Sequence, residues 1–149
     1  MNSFLKIIDE TMTFVLKGET DVLHILRNQY QNSIIKRIDK SPVGCFVEFE
    51  TINTDKVTSP SNFYIGDVFI ESNQVPLGIG VVLFIEKGLI SLLEYYTFGD
   101  DDFPNKLNDY HFVYGNNGER NFSEYISWFV GKWTHKENKQ ERVFSFLLL

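Results

Sequence analysis

Glu94 has the most unusual setting for chemistry in this sequence. It lies in residues 89–98, LISLLEYYTF, where strand alternation puts it on the same side as Ile90, Leu92, Tyr96 and Phe98. A carboxylate in such company must be paired, hydrogen-bonded or protonated. It can serve as an acid, a base or a polar contact in a cleft. It can equally be a structural carboxylate bonded to backbone amides or to an arginine such as Arg27 or Arg37, and this second role is favoured because structural pairs perturb carboxylates as well. Asp100, Asp101 and Asp102 come just after it. Three adjacent carboxylates suit a hard cation, but a calcium loop alternates its ligands and fixes a glycine and a distal glutamate, and that pattern is missing. The run reads first as a solvated turn ending a strand, then as an acidic contact for a basic partner.

The other candidates are weaker. Cys45 would need His24, His111 or His135 as its base. It alternates with Val47 and Phe49, which is the pattern of a small buried hydrophobe. The histidines share no HxxxH or Cys-His spacing, so no metal site is expected. No GxGxxG, phosphate-binding loop or GxSxG is present, and Gly78-Ile79-Gly80 reads as close strand packing. No catalytic residue, metal or cofactor is therefore assigned. Tyr95, Tyr96, Tyr110, Tyr114 and Trp128 offer an aromatic-rich surface, although in a chain with 15% aromatics most such residues form core.

Positioning these residues requires a folded scaffold, and composition allows one. A chain of 149 residues, 43% hydrophobic and 23% charged, fits one domain around one core, so residues 1–149 are expected to form a single α+β domain. Twenty acidic against 14 basic residues give a net charge of −6, which disfavours nucleic acid and suits a basic protein partner. One cysteine excludes an intramolecular disulfide and points to a reducing cytoplasm. The N-terminal stretch carries Asp9 and Glu10 within its apolar run and makes a poor signal peptide. The longest apolar run, residues 79–85, is far short of the roughly 20 a spanning helix needs, so no membrane is expected.

Apolar spacings of three and four predict a helix from Ser3 to Gly18 through Phe4, Leu5, Ile8, Met12, Val15 and Leu16. A second helix, capped by Thr20, buries Val22, Leu23, Leu26 and Tyr30. Strands follow at residues 34–39 and 45–50, the latter with Cys45, Val47 and Phe49 inward and Glu48 and Glu50 toward water. Residues 53–62 read as a mobile loop, and 63–71 as a strand with a bulge at Gly66-Asp67. Residues 79–85 and 89–98 form a hairpin about Lys87-Gly88, apolar enough for the middle of a sheet. One more strand is expected at 110–114. Asn121 and Glu124 form a capping box for a helix over 121–133, and 142–149 suit a terminal strand. The expected architecture is a mainly antiparallel sheet with helices packed on one face.

Leu26-Arg27-Asn28-Gln29, Gly44, the stretch from Gly78 through Gly99 with Leu92-Leu93-Glu94 and Tyr96-Thr97-Phe98-Gly99-Asp100, Pro104, and the acidic-tyrosine segment at Asp109-Tyr110 together resemble a group of small bacterial α+β domains. That group carries an LRxQ helix before the sheet and a hairpin closing with LLEGYTYGDExWP. Tyr95 stands here where glycine is expected, and Phe103 where tryptophan is expected. The likeness covers residues 21–114 and leaves 1–17 and 116–149 outside it. It implies a fold and a bacterial origin and brings no catalytic residue. By size, acidity and lack of motifs the chain is also similar to bacterial toxin-immunity proteins, a likeness of type.

Three functions stand at this point. The leading one is a non-enzymatic immunity protein or antitoxin that occludes a basic toxin through Glu94, Tyr96, Asp100, Asp101, Asp102 and Tyr110. The second is a small-molecule-binding domain or enzyme using Glu94 in a pocket. The third is an assembly role, a homo-oligomer formed when Phe144, Phe146, Leu147, Leu148 and Leu149 add to a partner's sheet.

Overall fold

The structure, a computed structural model, describes residues 3–52, 54–115 and 120. The helix expected over 121–133, its Asn121–Glu124 box and the terminal strand lie outside the described residues. Among the described residues the chain forms two helices, α1 (Ser3–Val15) and α2 (Asp21–Gln31), followed by six strands. The strands are β1 (Ser33–Ser41), β2 (Gly44–Thr51), β3 (Phe63–Ser72), β4 (Val75–Glu86), β5 (Leu89–Thr97) and β6 (His111–Tyr114).

Helix α1 buries Ile7, Ile8, Thr11, Met12 and Val15, a stripe with the three-and-four spacing of a core-facing surface. The chain leaves it through Leu16 and turns at Gly18, whose φ of 147° suits glycine. Helix α2 begins as expected: the Thr20 hydroxyl accepts the Leu23 amide at 3.3 Å, and Asp21 sits in the first turn.

The strands form one antiparallel sheet in the order β1-β2-β5-β4-β3-β6, so the β4–β5 hairpin occupies its centre. Lys87 and Gly88 both have positive φ, 52° and 80°, as a tight two-residue hairpin turn requires. A side chain at Gly88 would also meet the Val57 carbonyl, 2.4 Å from where its Cβ would stand.

Register defines two faces. Cys45, Tyr95 and Val81 form one cross-strand row, and Val47, Leu93 and Leu83 another on the same side. The Tyr95 hydroxyl donates to Thr11 Oγ1 at 2.8 Å, and its ring lies 5.9 Å from that of Phe4. Tyr30 meets Phe49 edge-on, and Phe14 stacks on Tyr114 with centroids 4.2 Å apart. The opposite side carries the rows Phe46–Glu94–Val82 and Gly44–Tyr96–Gly80.

Several expectations need adjustment. The bulge in β3 is present as a register shift between Ile65 and Val68. Glu50 is exposed, but Glu48 is half-buried and ion-paired to Arg37 at 3.1 Å, because β1 lies directly beside it. The loop expected to be mobile is tied down. Val57 is buried and donates to the Gly88 carbonyl, Gly88 donates to the Ser61 carbonyl, and Lys87 donates to Asn62 Oδ1. Strand β6 begins at His111 rather than at Tyr110. Among the described residues no helix is long and apolar enough to cross a membrane.

Candidate functional site

Glu94 and Tyr96 sit in the middle of β5, flanked by β2 and β4. They were expected at a contact surface, yet they are 1% and 2% exposed. Neither arginine proposed as a partner for Glu94 is directed at it. Arg27 donates to the Leu16 and Gly18 carbonyls at 2.6 and 2.7 Å, closing the C-terminal end of α1. Arg37 is engaged by Asp39 and Glu48. The Tyr96 ring packs against Gly80, with Cζ 2.0 Å from where a Cβ would stand, and its centroid lies 5.2 Å from that of Phe98. Burial, and then the negative charge of Glu94, raise the Tyr96 phenol well above the ordinary tyrosine range.

Cys45 is fully buried on the α1 side of β2, and burial pushes its thiol up to about 12. Among the described histidines, His24 and His111 approach Glu19 and Glu71 rather than a nucleophile. Among the described residues there is no cluster of three or more metal-ligating side chains.

The acidic turn is held firmly. The Thr97 hydroxyl shares its one proton between the Asp101 carbonyl at 2.7 Å and the Val43 carbonyl at 3.1 Å, and the Phe103 amide donates to the Pro42 carbonyl at 2.7 Å. Gly99 adopts φ 60°. Asp101 turns inward, its Oδ2 accepting the Leu77 amide at 3.2 Å, which leaves Asp100 and Asp102 exposed. Tyr110 is elsewhere: its hydroxyl donates to Glu10 on α1, and burial followed by that bond raises it to about 12. The six expected contact residues therefore lie in three places: a buried pair, the acidic turn, and a tyrosine docked on α1.

Sequence reasoning missed two glutamines. Gln29 is fully buried. Its amide nitrogen donates to the Asp55 and Gly88 carbonyls, both at 2.8 Å, and Oε1 accepts the Ile90 amide at 2.9 Å. It thus ties α2 to the central hairpin turn and to the preceding loop. The signal was its place in the LRxQ run, one turn from buried Leu26 on a helix facing the core. Gln74, in the β3–β4 turn, donates to the Lys106 carbonyl and accepts the Asn108 and Asp109 amides. Asn73 adds a 2.7 Å bond to Asp109 Oδ2.

These clasps shape an open groove of about 900 Å3 between the β3–β4 turn and β6. Glu71 and His111, opposite one another across the β3–β6 ladder, approach to 3.3 Å within it. Asp109 stands at its rim and Leu77, 63% exposed, at one end. Leu77 is also the residue that Asp101 holds, so the groove and the acidic turn adjoin.

The described residues thus define an α+β protein built on a six-stranded antiparallel sheet with two helices. No family model matches the chain, and no curated protein or solved structure is significantly similar to it.

Proposed function

We propose that this chain is a non-enzymatic binding domain, a single α+β unit with both helices on one sheet face. In this reading it acts in the cytoplasm by occluding a basic protein, most concretely as a bacterial immunity protein or antitoxin that neutralises a toxin. One observation carries it: Glu94 and Cys45, the carboxylate and thiol that the sequence offered for chemistry, are buried, while carboxylates are presented outward on a turn held by hydrogen bonds. Glu94 is 1% exposed and Cys45 fully buried, whereas Asp100 and Asp102 project from a turn tied to Pro42, Val43 and Leu77. A preorganised acidic surface on a chain of net charge −6 favours fast capture of a basic protein. The test is co-purification with the product of the adjacent gene, followed by a protection assay in cells expressing that product. A complex and rescued growth are expected; neither complex nor protection would overturn the reading.

A further inference from the structure

We propose that the groove beside the acidic turn seats an extended, basic segment of the protein partner, with one apolar side chain of that segment set against Leu77. The inference rests on the binding reading above and names the surface that performs it.

Three observations converge. First, the groove's formal charge is acidic. Glu71 and Asp109 line it and Asp101 closes its Leu77 end; His111, paired with Glu71, is the one ionisable nitrogen among the described lining residues, none of which is lysine or arginine. A basic segment matches this lining, and an acidic one is repelled. Second, Leu77 is 63% exposed, the most exposed of the large apolar side chains among the described residues. Its amide is held by Asp101 and its side chain approaches Gly99, so the apolar surface is presented beside the acidic turn. Third, the groove is open rather than enclosed, and its ionisable groups are solvated: the side chains of Glu71 and His111 are 59% and 66% exposed. Solvated single charges hold a small ligand poorly. An extended chain engages several of them at once along the length of the groove, and its backbone spans about 3.3 Å per residue.

The probe is a fluorescein-labelled lysine-rich heptapeptide with one central phenylalanine, compared with its glutamate-for-lysine counterpart by fluorescence anisotropy and by amide chemical-shift mapping. The basic peptide should bind with an affinity that falls as salt rises, shifting the amides of Glu71, Leu77, Gly78 and Asp109; the acidic peptide should not bind. Leu77→Lys and Glu71→Lys should each weaken binding about tenfold, roughly 1.4 kcal/mol. Glu50→Lys, exposed at the far end of the sheet, should leave it unchanged. No binding, equal binding of both peptides, shifts elsewhere, or full affinity in Leu77→Lys would overturn the inference. A complex with the adjacent gene's product that survives both groove variants would remove the groove and leave the binding reading standing. Absence of any complex with the unaltered chain would remove the binding reading itself.

Discussion

Replacing Gln29 with leucine keeps most of the side-chain volume and removes three hydrogen bonds from a fully buried position. The three backbone groups left behind are not equivalent. Asp55 is exposed, so its carbonyl rehydrates. The Gly88 carbonyl retains the Val57 amide at 2.9 Å. The Ile90 amide, beside the register shift at Phe84/Ile85, loses its acceptor in the interior. One stranded buried donor plus the lost bonds amounts to about 2–4 kcal/mol, which urea denaturation of Gln29→Leu should read at any pH between 4 and 8. Gln29→Glu separates this account from simple packing. The introduced carboxyl still accepts the Ile90 amide, but when ionised it faces the Asp55 and Gly88 carbonyls, and when protonated it can donate to one of them. Its folded pKa must therefore rise above the unfolded value of about 4.3. The folded state then binds more protons, so stability relative to the unaltered protein falls as pH rises through and above that value. Gln29→Glu should be much less damaging at pH 4 than at pH 7. A cost below about 0.5 kcal/mol for Gln29→Leu would refute the hydrogen-bond argument, as would a pH-independent cost for Gln29→Glu.

Gly80→Ala should cost about 1–3 kcal/mol by the same denaturation assay, because the added methyl occupies the Tyr96 ring's position and the sheet must yield. Combining it with Tyr96→Ala should cost less than the two separate losses together, and strict additivity would show that the clash is not the cause. Cys45, buried with its thiol pushed up to about 12, should resist a thiol-specific disulfide reagent at pH 8 and react with one equivalent only after unfolding in urea. Rapid reaction of the folded protein would contradict its placement.

The fold was legible in the sequence where periodicity was strong. Residues 79–85 are apolar on both faces and 89–98 nearly so, the composition of strands in the middle of a sheet, and they are the sheet's centre. Cys45, Val47 and Phe49 alternate cleanly and were placed inward correctly. The bonds that hold residues 54–62 were not legible, because turn-forming residues say where a chain leaves regular structure and nothing about what then holds it. The amides and carbonyls that pin it belong to Gln29, Lys87 and Gly88, distant in sequence. The groove was illegible for a related reason. Glu71 meets His111 only through the β3–β6 register, and Leu77 meets Asp101 only because the turn after β5 folds back on β4.

The residues that carry the likeness to small bacterial domains are almost all committed inside the molecule. Leu26 is buried, Arg27 closes α1, Gln29 clamps the hairpin, and Leu92, Leu93 and Glu94 lie within the sheet. Thr97 and Gly99 shape the turn. Such motifs specify a frame, and a frame of this kind places no demand on the identity of a partner. Glu71 and Leu77, which line the groove, lie outside those motifs, and they and Asp109 are solvent-exposed, so changing any of the three should alter stability by no more than about 0.5 kcal/mol. In the proposed reading, stability and recognition rest on separate residue sets, and altering the groove alone changes which basic segment is held while the frame is kept.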